Sequence, residues 1–280
     1  MLLFFRELTH GVQGCEMEPK TINPYTREIR TLMYHRIVEH GESSEGTAPY
    51  LNAGLFRRHL KLLDRMGYTA ITLRDHKLIC EGELYAPSKP IIITFDDGYL
   101  DTYQVAFPIL QEFGMRAVVF VVGDRTITTN TWENASNTPQ MPLMGEQHLL
   151  ELHDAGFEIG SHTMTHAYLN KLTPEEAWEE ISRSRMVLEI MLNSPVLSFA
   201  YPFGVITPAI KKLVQNAGYE FACATSSGPR RLDQDYYEIR RIVIANDNGL
   251  FNFFMKVLGP YVPYRWVVSE TQRFLGKSTS

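Results

Sequence analysis

The sequence predicts one α/β domain in which parallel strands alternate with crossover helices, as in a (β/α) barrel. Short apolar runs suited to buried strands are followed by amphipathic runs at helical spacing, and this order repeats along most of the chain. No linker or shift of composition divides the 280 residues. A single barrel domain commonly fills about 200 to 250 residues, so the length fits one domain.

Each strand is predicted from a short apolar run bounded by glycine, proline or polar residues. The predicted strands are 29–35, 68–73, 90–95, 116–122, 157–161, 196–201, 219–224 and 237–244. The predicted helices are 55–66, 101–113, 146–155, 173–192 and 208–216. The fourth helix has the clearest start, because Thr173 and Glu176 form a capping box and Pro174 suits the first turn. The polar segment 123–142 is long for a connection, which predicts either a binding loop or disorder.

Three parts of the chain are expected: a leader at 1–28, the barrel domain at 29–246, and an apolar, aromatic extension at 247–280. We expect the extension to contain a helix that caps the barrel, with a dimer contact or a membrane-surface contact as alternatives. The apolar start at 1–5 is followed at once by two charged residues and is too short for a signal peptide. The sequence as written predicts a cytoplasmic protein, with an extracytoplasmic or membrane-associated location left open.

Composition excludes several classes of protein. Against 32 Asp and Glu there are 27 Lys and Arg, and the net charge of −5 has the wrong sign for a chain that mainly binds nucleic acid. No stretch reaches the roughly 18 apolar residues of a membrane-spanning helix. Cys15, Cys80 and Cys223 are odd in number and far apart, so we expect free thiols rather than a zinc ribbon or redox pair. The oligomeric state is left open.

Four polar clusters share one kind of position, the carboxyl end of a predicted strand. They are His35, Asp96-Asp97-Gly98, His162 with His166, and Tyr201-Pro202-Phe203-Gly204. In a barrel of parallel strands these ends meet on one face, which carries the active site. We therefore expect the four clusters to form a single site.

His162 and His166 are one helical turn apart, which lets two imidazoles share one divalent ion. The chain has nine histidines, so chance alone would give roughly 0.3 such pairs, and the spacing by itself is only suggestive. A nearby carboxylate would complete a two-histidine, one-aspartate set with open positions for water and substrate. The alternative, two solvated surface histidines, fits the strand-end position less well.

Asp96 and Asp97 directly follow an apolar strand, and two carboxylates at a barrel mouth are costly unless a cation or hydrogen bonds compensate them. Neighbouring side chains that leave a strand diverge, so one aspartate can bind metal while the other faces the attacking water. The alternative is a simple turn, since Asp-Asp-Gly is also good turn chemistry.

Two of the clusters belong to longer segments, Thr94-Phe95-Asp96-Asp97-Gly98 and Ser161-His162-Thr163-Met164-Thr165-His166, about 65 residues apart. These segments resemble the first and second motifs of the NodB-type polysaccharide deacetylases, and the two motifs in this order are a specific signature. The resemblance covers roughly residues 29–244 and implies the NodB homology fold, a distorted (β/α)7-type barrel. It also implies that Asp96 is the general base and that Asp97, His162 and His166 bind one divalent metal ion.

Residues 200–204, Ala-Tyr-Pro-Phe-Gly, resemble the third motif of the family. In the family the aromatic residue before the glycine offers its backbone N–H to the oxyanion, which implies this role for Phe203. Tyr201, Trp132 and Trp266 are further aromatic candidates for stacking on a sugar ring, although each could instead fill the core or the surface.

Two departures from the family pattern concern the groups around the base. The arginine that usually opens the third motif and orients the base is replaced by Ala200, and Arg240 or Arg241 is a candidate substitute. The usual C-terminal Leu-X-His, the source of the catalytic acid, is missing, whereas His35 ends the first strand. This arrangement resembles the circularly permuted branch typified by biofilm poly-N-acetylglucosamine deacetylases. It implies that His35 is the acid rather than a core histidine.

These residues support metal-assisted hydrolysis of an amide. A divalent ion lowers the pKa of bound water toward 7, so that Asp96 can take its proton, and protonated His35 can protonate the leaving amine. We expect one divalent ion, Zn²⁺ first with Co²⁺ or Ni²⁺ as alternatives, and an N-acetylated polysaccharide or sugar as substrate. The alternatives are a deacylase of another N-acyl or cyclic amide, and a sugar-binding homologue without turnover. The latter is disfavoured because both aspartates and all three histidines are present.

Overall fold

The structure, a computed structural model, describes residues 28–39, 48–133, 140–246 and 249–258. The strands are β1 (Arg30–Tyr34), β2 (Arg36–Val38), β3 (Tyr50–Asn52), β4 (Thr69–Ala70), β5 (Pro90–Phe95), β6 (Val118–Val121), β7 (Glu158–Ser161), β8 (Ser198–Ala200), β9 (Phe221–Cys223) and β10 (Ile242–Val243). The helices are α1 (Ala53–Arg65), α2 (Leu73–Glu81), α3 (Phe107–Glu112), α4 (Glu146–Asp154), α5 (Pro174–Leu192), α6 (Pro208–Asn216) and α7 (Leu250–Leu258).

The main sheet is parallel, and seven of its strands follow the path β10-β1-β5-β6-β7-β8-β9, while β4 pairs with the amino end of β5. The residues on either side of β10 join the two edges of this path. Ile239 N donates to Ala222 O beside β9, and Ile244 N donates to Met33 O on β1. The sheet therefore curls into a distorted barrel, which confirms the predicted fold class.

The apolar residues of β5 alternate between two packing layers. Ile91 and Ile93 pack with the helices outside the barrel, whereas Ile92 packs with Val118 and Phe120 in its interior. Because both faces of a parallel sheet are covered, the strand is apolar at every position from 91 to 93. The polar residues begin only at its carboxyl end, where the barrel opens.

Helix α2 was not predicted, and the strand predicted at 68–73 is wrong in extent. Of the predicted strand, only Thr69–Ala70 (β4) pairs with β5, and Leu73 already belongs to α2. Thr72 starts the helix through a capping box with Asp75. Apolar residues lie on both sides of this cap residue, so the sequence pattern resembles that of a strand longer than the paired segment. Leu73 and Ile79 pack with the barrel interior at its amino end.

Three smaller features differ from the prediction. β2 and β3 form a separate two-stranded parallel sheet, and the helix predicted at 101–113 includes a π-helical turn at Thr102–Ala106 before α3. The strand predicted at 237–244 is reduced to β10, because residues before it bond to β9 instead of β1.

Helix α7 packs on α1, where Phe253 stacks on His59 with 3.9 Å between ring centroids. Among the described residues, no helix combines the length and apolar character needed to cross a bilayer. The predictions for the leader, for Cys15 and for Trp266 fall outside the described residues.

Candidate active site

One cavity of about 360 Å³ at the carboxyl end of the sheet collects the predicted site residues. Its lining includes His35, Asp96, Asp97, His162, His166, Tyr201 and Phe203. The four clusters that the sequence places at strand ends therefore meet in space. The strand order explains this meeting, since β1 lies between β10 and β5 and brings the two ends of the barrel domain to the aspartates.

Asp97, His162 and His166 form a compact set of candidate metal ligands. Asp97 Oδ1 lies 3.4 Å from His162 Nε2 and 3.2 Å from His166 Nε2. His162 Nδ1 is 2.8 Å from Ala200 O and donates to it, which leaves Nε2 as a lone-pair donor toward Asp97. Two imidazoles and one carboxylate are a donor set suited to Zn²⁺ and similar ions. The residues thus fit a divalent ion.

This set stands out in the part of the chain that the structure describes. It is the one group of three or more His, Cys, Asp or Glu side chains there whose ligand atoms all lie within 4.8 Å of one another. All three residues are buried. Burial acts to raise the pKa of Asp97, but the neighbouring imidazoles of His162 and His166 outweigh it and hold the pKa well below its usual value.

Backbone strain is concentrated around this set. Positive φ angles occur at Asp97 (72°), Thr163 (67°), His166 (62°) and Phe203 (58°), which are four of the five non-glycine residues with positive φ in the described chain. Non-glycine residues avoid this region unless their surroundings fix them in it. The surroundings therefore dictate the backbone from which two of the three candidate ligands project.

Arg241 holds Asp96 in the barrel interior. Arg241 Nη1 donates to Asp96 Oδ1 at 2.6 Å, and Nη2 donates to Oδ2 at 2.7 Å. Arg241 Nε donates to Ala224 O at 2.7 Å and Nη1 also donates to Thr94 Oγ1 at 3.1 Å, so the guanidinium is fixed by four hydrogen bonds. Burial acts to raise the pKa of Asp96, but the charge and hydrogen bonds of Arg241 outweigh it and lower the pKa. Arg240, the other candidate, donates to Gly228 O instead.

His35 follows β1 directly and faces the same cavity. Among the described residues, its buried Nδ1 atom makes no hydrogen bond. Because the residue lines the cavity, its ring lies beside the space that a ligand would occupy.

Tyr201 and Phe203 occupy different environments. Tyr201 is 1% exposed, its hydroxyl donates to Tyr237 O at 2.9 Å, and its N–H donates to Cys223 O at 3.3 Å. Phe203 is 42% exposed and lies at the mouth of the cavity. Tyr201 thus supports the cavity wall, whereas Phe203 is open to a ligand.

Three residues of the site lack any motif that would have signalled their place. Trp132 stacks on His166 with 4.4 Å between ring centroids, Tyr168 stacks on Phe203 at 3.6 Å, and Glu133 lines the cavity. Tyr99 OH donates to Glu133 Oε1 at 3.0 Å. Trp132 was considered for stacking on a sugar, but its ring covers a candidate metal ligand.

Fold and site together define a class of enzyme. A curled parallel barrel whose carboxyl end holds two aspartates beside two histidines is the NodB type of hydrolase, which acts on carbon–nitrogen bonds. The sequence profile of the polysaccharide deacetylase family matches residues 84–222, so the chain contains a polysaccharide deacetylase domain of the NodB type. His35 and Arg241 lie outside the matched residues, on the segments that flank them.

Known proteins agree with this assignment. A Bacillus subtilis protein named as a polysaccharide deacetylase, YxkH, is 29% identical over 218 residues, 78% of this chain and 72% of that protein. The poly-beta-1,6-N-acetyl-D-glucosamine N-deacetylase of Staphylococcus aureus strain MRSA252 is 22% identical over 257 residues, 85% of this chain and 86% of that protein. The solved Streptococcus pyogenes deacetylase PplD in complex with acetate has a TM-score of 0.69 at 25% identity, over 82% of this chain and 98% of that chain.

Proposed function

We propose that this protein removes N-acetyl groups from an N-acetylated polysaccharide of the N-acetylglucosamine type and releases acetate. One observation carries the proposal: a single cavity collects a metal-ligand set, an aspartate held by a buried arginine, and a histidine. Amide hydrolysis is accelerated by positive charge or hydrogen-bond donors at the developing oxyanion, by a base for water and by an acid for the amine. The similarity to the Staphylococcus aureus enzyme supports the substrate class.

Asp97, His162 and His166 would hold the divalent ion, Zn²⁺ first and Co²⁺ or Ni²⁺ as alternatives. When bound, such an ion supplies positive charge that polarises an amide carbonyl and acidifies water. The hydrogen bond from His162 Nδ1 to Ala200 O fixes the tautomer and the ring orientation that this task requires.

Asp96 would act as the base. Arg241 donates to both of its oxygens, so the carboxylate stays ionised and cannot rotate. A carboxylate of low pKa takes a proton only from water that a nearby cation has made acidic, which ties this role to the neighbouring ligand set. Asp97 faces the two imidazoles and Asp96 faces the arginine, so the two aspartates divide binding and proton transfer between them.

His35 and Phe203 would act on the two ends of the scissile amide, its nitrogen and its carbonyl oxygen. An amine leaves an amide poorly unless it is protonated, and His35 in its charged form gives the nitrogen that proton. The turn at 202–204 uses Gly204 N and Val205 N for its own hydrogen bonds, to Tyr201 O and Pro202 O. The Phe203 N–H serves the oxyanion that forms on the acetyl group.

The rim of the cavity suits a saccharide. Phe203 and Tyr168 are stacked on each other, and each leaves about two fifths of its surface exposed. Exposed aromatic side chains next to polar groups match the apolar and hydroxyl-bearing parts of a sugar. A chain of sugars can therefore lie across the mouth while one acetamido group enters the cavity.

The test is acetate release from an N-acetylated β-1,6-glucosamine oligosaccharide by metal-loaded and chelator-treated protein. Release by the loaded protein, its loss with chelator and its return with Zn²⁺ are the expected results. His162→Ala is the matched control, because it removes a ligand without disturbing Asp96 or Arg241. Binding of the oligosaccharide without release would instead identify a sugar-binding protein, and release unaffected by chelation would contradict the metal site.

A further inference from the structure

The loop between the two histidine ligands, residues 162–166, has an unfavourable backbone conformation. Thr163 and His166 have positive φ angles, each at a cost on the order of 1 kcal/mol. A loop free to relax would leave this conformation and carry His166 away from Asp97. Contacts from outside the loop must hold it in place.

The segment after β6 holds one edge of the loop. Gly123 N donates to Thr163 O at 2.8 Å, and Asp124 N donates to Met164 O at 2.9 Å. A Cβ at Gly123 would lie 2.7 Å from Ser184 Cα, so this close approach to α5 requires glycine. The carbonyl groups of the loop are thus fixed from one side.

Glu180 on α5 holds the opposite edge with three hydrogen bonds. Its main-chain oxygen accepts from Met164 N at 3.0 Å. Its carboxylate accepts from Thr165 N at 2.9 Å through Oε2 and from Thr165 Oγ1 at 2.8 Å through Oε1. Because Thr165 directly precedes His166, these bonds fix the backbone from which His166 projects.

We propose that Glu180 is a positioning residue for the metal site, which presets the 162–166 loop so that both imidazoles face Asp97 before an ion binds. The inference rests on the proposed function, because it takes these three residues as the metal ligands. A preset loop needs no reorganisation on binding, so loss of the Glu180 carboxylate lowers the affinity for the ion more than the rate of the loaded enzyme. Losses of this kind are typically about 10- to 100-fold in metal affinity.

The experiment measures the Zn²⁺ dissociation constant of the metal-stripped full chain by competition with a chromogenic chelator. Glu180→Ala is expected to raise it by about 10- to 100-fold, with kcat at saturating Zn²⁺ close to that of the wild type. Glu180→Gln is expected to restore affinity, since its amide oxygen accepts from Thr165 N and its NH₂ donates to Thr165 Oγ1. Glu179→Ala is the control, because it removes an exposed carboxylate from the adjacent position of the same helix.

Thermal unfolding in excess chelator shows whether each variant folds without metal. If Glu180→Ala does not fold, Thr165→Ala removes the other partner of the Oε1 bond, and a loss of affinity there supports the proposal while an unchanged affinity overturns it. Wild-type affinity in folded Glu180→Ala, alongside lost binding in His162→Ala, overturns the inference and leaves the metal site intact. An equal loss in Glu179→Ala also overturns it, since charge rather than positioning would then be responsible. A wild type that binds no divalent ion contradicts the proposed metal site itself.

Discussion

Two carboxylates at opposite ends of the barrel are equally buried, and yet their pKa values are shifted in opposite directions. Asp96 at the carboxyl end and Glu158 at the amino end of β7 are each 4% exposed. Burial acts to raise the pKa of both, but Arg241 outweighs it at Asp96, whose pKa is lowered. Glu158 accepts from Ser198 Oγ at 2.6 Å and Arg74 N at 2.7 Å, and here burial prevails and the pKa is raised.

The difference shows that the partner, not the depth, decides in which direction the pKa of a buried carboxylate is shifted. A paired guanidinium brings a full positive charge, whereas a hydroxyl and a backbone N–H bring only dipoles. The end that carries the proposed chemistry keeps its carboxylate ionised. At the other end, Glu158 bonds to the first turn of α2 and ties that helix across the base of the barrel.

The largest difference between the two ends is expected when each carboxylate is exchanged for its amide. Asp96→Asn should slow acetate release by about two to four orders of magnitude, because an amide cannot take the proton from water. Metal content should stay at the wild-type level, since the ligand set is intact. Glu158→Gln, the matched change at the other end, should retain the wild-type rate. Activity retained in Asp96→Asn would place the base elsewhere, and loss of its metal would mean that the aspartates exchange roles.

His35 is the second proposed proton-transfer group at the carboxyl end of the barrel. His35→Ala should slow amide hydrolysis by about two orders of magnitude, but an activated ester with a good leaving group far less, because that group needs no proton. Measuring both substrates with one variant cancels any effect on metal and oxyanion binding. Equal losses on the two substrates would show that His35 has a structural role only.

Removing the guanidinium partner of Asp96 should shift the pKa of Asp96 in the same direction as that of Glu158. In Arg241→Met burial acts on Asp96 without its partner, so its pKa rises and the acidic limb of the kcat/KM profile moves to higher pH. Leaving a buried charge unpaired should also lower the free energy of unfolding by about 3 to 5 kcal/mol. The pH dependence of acetate release and urea unfolding measure the two effects.

The sign of the stability effect follows from linkage. Asp96 has a lower pKa in the folded chain than its usual value, so its pairing stabilises the fold above that usual value and ceases to do so as the pH falls through the lowered one. The loss in Arg241→Met should therefore be largest at neutral pH and shrink in acid. Arg240→Met serves as the control, since Arg240 donates to Gly228 O. A shift of the acidic limb in that variant as well would contradict a specific role for Arg241.

The meeting of the polar clusters could be predicted from the sequence because parallel strands place their carboxyl ends together whatever their exact register. The start of α5 could be predicted because Thr173 and Glu176 cap it locally, and the structure contains that capping box. The choice between Arg240 and Arg241 could not be made. Neighbouring residues of an extended segment face opposite sides, and a shift of one residue exchanges them.

Other parts depend on contacts between distant segments. Glu180 contacts the 162–166 loop only because of the rotation of α5 about its axis. Its position in the sequence of that helix predicts nothing about a bond to Thr165. Trp132 and Glu133 reach the cavity through a long loop whose path no local pattern sets. α2 was missed because Ile71 and Leu73 continue an apolar pattern on both sides of the cap residue Thr72.

The smallest expected effect is on the stability of the fold when Glu158 is replaced. Its pKa is raised in the folded chain, so the stability linked to its protonated form is fully present below its usual value of 4.5 and is lost as the pH rises through the raised value. A glutamine mimics the protonated acid: its oxygen can accept from Arg74 N while its NH₂ donates to Ser198 Oγ. Glu158→Gln should match the wild type in acid and become more stable than it, on the order of 1 kcal/mol, toward neutral pH. Urea unfolding of both proteins between pH 4 and 8 measures this difference, and a difference that stays constant with pH would show that Glu158 is as readily ionised in the barrel as in the unfolded chain.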